Sequence, residues 1–297
     1  MLRRSFVALG CAGAFSLFAG QAEAASRGIG ATSTLRPKNA PYPDGRGAYS
    51  DPTVLVFVPS FFSVPKSKQV DFVVHFHGHN TTAKDAIAAH RLREQLHASR
   101  QNAVLVVPQG PVRAADGDFG KLMMKDGLAK LLDEVRRSVR ALGQAKELGR
   151  VVLSAHSGGY RAAAAAISRG GADVREVYLF DALYGEAETF ADWVTADPKG
   201  HKLVSYSIGG RPRELSMELA TTLENRGIEV VREDGVRRVT REELVHATAA
   251  FLAGKASHRT ATYEELALRD CLFASCLRGK GSQVWHQNRT AARSTKI

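Results

Sequence analysis

Cysteine is scarce in this chain, with three in 297 residues, and internal repeats, linker-like stretches and long apolar runs are scarcer still. After the N-terminus no segment approaches the roughly 20 uninterrupted apolar residues that cross a bilayer, which excludes stable membrane insertion. Nucleic acid is excluded as an expected partner on similar grounds. The formal net charge is +11, but it is dispersed, with some concentration in Arg278 to Lys296, and no interleaved aromatics or nucleic-acid motifs accompany it. Loose attraction to an anionic cell envelope is what that charge supports.

The one apolar run is N-terminal. Met1-Leu2-Arg3-Arg4-Ser5 precedes Phe6 to Gly20, and Ala22-Glu23-Ala24 supplies a small-x-small cleavage signature. Residues 1–24 therefore read as a signal peptide, and the mature protein is expected to be periplasmic or secreted. Arg3-Arg4 with Ser5-Phe6-Val7 resembles a twin-arginine signal, although Leu2 stands where Ser or Thr is usual, so both export routes stay open. Cys11 lacks the flanking pattern of a lipidation site. That leaves Cys271 and Cys276, whose spacing on a regular helix puts them beyond disulfide reach, so a bond would require the helix to break between them; two free thiols are expected. Alone they would also under-ligate a zinc ion.

Residues 25–50 hold Gly, Ser, Pro and Asn without apolar periodicity and read as an irregular leader. From 51 to 277, short buried-type runs alternate with helical patterns. Strands are expected at Val54 to Val58, Phe72 to Phe76, Ala103 to Val107, Val151 to Leu153, Val174 to Phe180, Lys202 to Ile208 and Thr248 to Ala256. Helices are expected near 83–100, 119–142, 159–169, 214–225 and 263–277. Continuous apolar runs suit strands covered on both faces, so the fold class is α/β: a doubly wound, mostly parallel sheet flanked by helices, with its site at the carboxyl ends of the strands. Residues 278–297 read as a basic, poorly ordered tail.

Three features fall at those strand ends. Ser157, in Ser154-Ala-His-Ser-Gly-Gly-Tyr160 between a buried strand and an alanine-rich helix, has the small neighbours that a sharp strand-to-helix turn requires. The turn exposes the hydroxyl and places a helix N-terminus behind it. A Ser there could also simply cap the helix. The second feature, Val73-Val-His-Phe-His77-Gly-His-Asn80, places Gly78 and His79 where a loop N–H could help bind an oxyanion, with Gly158 offering the other. The same stretch has a rival reading, in which His75, His77 and His79 share one strand face and hold a metal; Gly78 should end the strand before His79, and no later ligand motif completes such a site. Buried His75 and His77 could alternatively position the loops.

The third feature is the pair that would activate Ser157, since a serine hydroxyl needs a base and the base needs an orienting acid. In chain order an acid should follow the serine and a histidine the acid. Asp181 ends the apolar run Val177-Tyr-Leu-Phe-Asp181; the loop one strand later offers only Glu214. Among the histidines, His201 begins a strand, His246 precedes the last one, and His286 lies in the basic tail. His258 follows the last strand and is the preferred base.

With the motifs His-Phe-His-Gly-His-Asn, Ser-Ala-His-Ser-Gly-Gly-Tyr and Phe-Asp-Ala-Leu-Tyr-Gly, the chain resembles a secreted bacterial branch of the α/β-hydrolase superfamily. The resemblance implies an esterase-like serine hydrolase with a triad of Ser157, Asp181 and His258, an oxyanion hole at Gly78, His79 and Gly158, no metal and no cofactor. It also implies a small-molecule or cell-envelope acyl substrate, esters by default with amides open. A different class of protein, a non-catalytic envelope binder on the same scaffold, would share these motifs.

Overall fold

The computed structural model describes residues 28–233 and 237–280. The signal-peptide expectation, Cys11 and His286 lie outside the described residues. Among the described residues nine strands form one sheet: β1 Gly30–Leu35, β2 Val54–Pro59, β3 Gln69–Phe76, β4 Ala103–Pro108, β5 Glu147–His156, β6 Val174–Phe180, β7 Lys202–Ser207, β8 Val230–Arg232 and β9 Ala249–Ala253. Their spatial order is β1-β2-β4-β3-β5-β6-β7-β9-β8. The pairs β1/β2 and β2/β4 are antiparallel, and all others are parallel.

Among the described residues eight α-helices accompany them: α1 Ala83–Ala89, α2 Leu92–Ser99, α3 Gly127–Ser138, α4 Tyr160–Arg169, α5 Ala187–Ala196, α6 Gly210–Asn225, α7 Arg241–His246 and, after the last strand, α8 Ala267–Phe273. The core lies in two layers because side chains alternate across a strand. Phe72, Val74 and Phe76 of β3 face a cluster that includes Leu131 of α3 and Ala162 of α4. Val73 faces the other layer, with Leu92 of α2 and Leu268 of α8. Ala162 to Ala166 are all buried, and the absence of larger side chains lets α4 sit directly on the sheet behind the β5 turn. Among the described residues no helix is long and apolar enough to cross a membrane.

The seven expected strands are all present, and two more exist. β1 is a correction to the irregular leader: Gly30 to Leu35 pairs along the whole of β2. It is an edge strand in which no residue is fully buried, so it lacks the apolar signature of its neighbours. The leader is also docked after β1, where Glu134 of α3 accepts from the N–H groups of Lys38 and Asn39. β8 has only three residues.

The expected helix over 83–100 breaks where Arg91 adopts φ 49°. A helix the apolar pattern did not flag, α5, follows β6. The chain leaves α8 after Phe273, between Cys271 and Cys276, and no disulfide joins the two. The first residues of the basic tail are also ordered, since Gly279 bridges to Gln101 and Lys280 N–H donates to Arg100 O.

Candidate active site

The carboxyl ends of β3, β5 and β6 and the loop after β9 meet at one edge of the sheet. Ser157 follows the last residue of β5 with φ 50°, a left-handed conformation that costs a non-glycine residue on the order of 1 kcal/mol or more. The reversal drives the chain directly through a 3₁₀ turn, Ser157–Gly159, into α4. It is tolerated because its neighbours are minimal: a Cβ on Gly159 would stand 2.4 Å from Phe76 O at the end of β3. Asp181 repeats the device one strand over, with φ 46° just after β6.

These turns and the β9 loop bring three side chains into line. Ser157 Oγ–H donates to His258 Nε2 at 3.0 Å, and His258 Nδ1–H donates to Asp181 Oδ2 at 2.6 Å. The other carboxylate oxygen of Asp181 accepts from Ile208 N–H at 3.2 Å, while Asp181 N–H donates to Tyr206 O at 2.7 Å. Asp181 is thus held at both backbone and side chain by the end of β7. It is almost fully buried, whereas the His258 side chain is 41% exposed, so the hydrogen-bonded line runs from the interior to solvent. Such an arrangement can withdraw a proton from the hydroxyl and fix which ring nitrogen receives it.

Gly78 lies against the turn, where a Cβ would stand 2.8 Å from Ser157 Cβ. The His79 ring rests on Gly158, so the loop after β3, with Gly78 and His79, and the start of α4, with Gly158, face each other beside the hydroxyl. His77 organises that loop. Its Nδ1–H donates to Gly78 O at 2.8 Å, and its Nε2 accepts from Gly110 N–H at 2.9 Å and from the Gln109 side-chain amide at 3.2 Å. Gln109 in turn accepts from Ala83 N–H at the start of α1, 2.8 Å away. Burial holds the His77 pKa below the usual histidine value, with the Gly78 hydrogen bond opposing.

The metal reading of His75, His77 and His79 is corrected by these bonds. Both ring nitrogens of His77 serve the backbone, and His75 Nδ1 is bonded to Ser154 Oγ at 2.9 Å. Among the described residues no three His, Cys, Asp or Glu side chains are arranged to hold a metal ion. Two other candidate bases stand apart: His246 ends α7, before β9, and His201 Nδ1–H donates to Trp193 O.

A feature the sequence motifs did not reveal is a file of imidazoles leading to His258. Ring centroids are 5.7 Å apart for His75 and His90, 4.6 Å for His90 and His156, and 4.8 Å for His156 and His258. Burial drives His75 well down, His90 to about 4 and His156 to about 3. His90 carries no sequence signal, because it lies inside what reads as one continuous helix.

An open cleft of about 830 Å³ lies over the serine. Its wall includes His79, Asn80, Thr81, Arg113, Arg259 and Tyr263, and the one aliphatic side chain there is Ala89.

The sheet order, the antiparallel β2, the serine turn after β5 and the histidine after the last long strand can be compared with solved structures. A ferulic acid esterase superposes with TM-score 0.55 at 15% identity, over 82% of this chain and 96% of that one. The chain has the α/β-hydrolase fold. Two Staphylococcus aureus proteins show the same hydrolase fold. One is the fluorophosphonate-binding serine hydrolase FphF, with TM-score 0.51, 12% identity and coverage of 84% and 100%. The other is the S-formylglutathione hydrolase FrmB, with TM-score 0.50, 12% identity and coverage of 84% and 98%. No protein-family model and no curated protein sequence matches the chain.

Proposed function

We propose that this protein is an exported serine hydrolase that cleaves carboxylic esters through an acyl-enzyme. The observation that carries the reading is the continuous hydrogen-bonded line from Asp181 through His258 to Ser157 Oγ, ending in an open cleft. The hydrolase fold supports it, as does the residue pattern expected of a signal peptide at 1–24. In this reading Ser157 Oγ attacks the ester carbonyl carbon as its proton passes to His258 Nε2. Asp181 holds the imidazole tautomer and balances the imidazolium. The carbonyl oxygen, now negative, is received by the N–H groups of Gly158 and His79, each such donor typically contributing about 3 kcal/mol to transition-state stability. The tetrahedral intermediate collapses, the C–O bond to the alcohol breaks, and His258 returns the proton to the leaving oxygen. Water then repeats the sequence on the acyl-serine, releasing the acid and free enzyme.

A wall whose one aliphatic side chain is Ala89 favours short or polar acyl groups over long lipid chains. Fluorophosphonate labelling tests the nucleophile: wild type is labelled and Ser157→Ala is not. Equal labelling of the two would overturn the assignment, and a wild type inert to probe and esters alike would favour the non-catalytic binder.

A further inference from the structure

We infer that His156 is a positioning residue for the base, acting through its ring N–H on the backbone of His258; this rests on the serine-hydrolase reading above. His258 sits five residues beyond the end of β9 at Ala253, in a loop with mostly local bonds. Ser257 N–H donates to Thr260 Oγ1 at 3.0 Å, and Thr260 N–H donates to Ser257 O at 3.0 Å. Those bonds shape the loop without tying it to the strand that bears the nucleophile. The link is made by His156, the last residue of β5 and the neighbour of Ser157. Its Nε2–H donates to His258 O at 2.6 Å. The two residues are 102 positions apart in sequence. The strand that presents the nucleophile therefore also holds the base at its backbone, while Asp181 holds its ring.

The surroundings suit that task. His156 is 7% exposed, and its ring is packed between His90 and His258 at centroid distances of 4.6 and 4.8 Å, which limits its rotation. Burial keeps it uncharged. A neutral donor matters because His258 becomes positive in the transition state, and a second cation beside it would oppose that charge. With Nε2 protonated, Nδ1 of the neutral ring carries no proton.

The experiment compares His156→Gln with His156→Asn. The amide nitrogen of Gln reaches about as far from the backbone as Nε2, and that of Asn only as far as Nδ1; both are uncharged donors. The expected result is that His156→Asn lowers kcat roughly 30- to 100-fold with KM changed less than about threefold, the scale set by small misplacements of a reacting group. His156→Gln should stay within about fivefold of wild type. The low-field proton resonance of the His258–Asp181 bond should persist in the Gln variant and broaden or vanish in the Asn variant. Equal kcat values for the two variants at matched melting temperatures would overturn the proposal. If neither variant folds, nitrogen-15 NMR of the wild-type protein decides: a neutral His156 protonated at Nε2 supports the contact, and protonation at Nδ1 overturns it. The Ser157→Ala labelling control keeps the two readings separate, since labelling of that variant defeats the hydrolase reading whatever the His156 tautomer.

Discussion

Gly78 and Ser157 touch across the sheet edge: a Cβ added to the glycine would lie 2.8 Å from the serine Cβ and 3.2 Å from His156 O. Neither the loop after β3 nor the turn after β5 can move without the other. Gly78→Ala is therefore expected to displace the hydroxyl and lower kcat/KM at least tenfold, with a smaller effect on stability. Gly159→Ala meets backbone, Phe76 O at 2.4 Å, and is expected to cost about 1–3 kcal/mol, in the usual range for overpacking. Ester kinetics and thermal unfolding of the two variants check both statements; unchanged turnover in Gly78→Ala would contradict the first.

Asp181→Asn keeps an oxygen for the Ile208 N–H but confronts His258 Nδ1–H with an amide that can donate. The imidazole then favours the wrong tautomer, and kcat is expected to fall by about 10⁴, as in triads where that exchange has been made. The melting temperature should change little, because the backbone bond from Asp181 N–H to Tyr206 O remains. A loss under tenfold would remove Asp181 from the role of orienting acid.

The buried imidazoles make stability depend on pH. His90 is held at about 4 and His156 at about 3, against 6.5 for an unperturbed histidine. Between the folded and unfolded values the unfolded chain binds the proton and the native protein does not. Stability therefore falls as pH drops below 6.5, by up to about 1.4 kcal/mol per pH unit for each such group. His75 and His77, also lowered by burial, act in the same direction. Melting temperatures should decline steeply between pH 6.5 and 4.5, above the range where carboxylates dominate, and His90→Leu should flatten the decline. A level profile over that window would show that these rings are not neutral in the fold.

Acyl-chain selectivity follows from the cleft wall. Esters of acetate and butyrate are expected to exceed those of twelve carbons or more in kcat/KM by at least tenfold, because Ala89 supplies the one aliphatic side chain there to receive a long chain. A p-nitrophenyl ester series measures this, and a preference rising with chain length would refute it.

The legible part of the fold is the part governed by burial. Val73-Val74, Val104 to Val107 and Val151 to Leu153 declare strands covered on both faces, because continuous apolar runs of that length between turn residues suit a sheet with helices on either side. β1 escaped the same reading because an edge strand buries little, and Gly30-Ala-Thr-Ser-Thr-Leu35 carries its pairing in the backbone. The break at Arg91 escaped too, since a single left-handed residue leaves the apolar pattern on either side intact. His77 could be suspected of holding the loop after β3; its partners Gly110 and Gln109, more than thirty positions away, could not.

By itself the sequence determined the alternation of strands and helices, the turn at Ser157 and the placing of Asp181 and His258 after the carboxyl ends of β6 and β9. Each of these depends on local patterning: periodicity, small residues at a sharp reversal, an acid after an apolar run. The tertiary structure alone decided that Ser157 meets His258 across 101 positions at 3.0 Å, that His77 serves the backbone and not a metal, and that His90 and His156 pack behind the base. Those relations follow from the order of the strands in the sheet and the closure of the loops over it, which bring residues distant in sequence within a hydrogen bond's length.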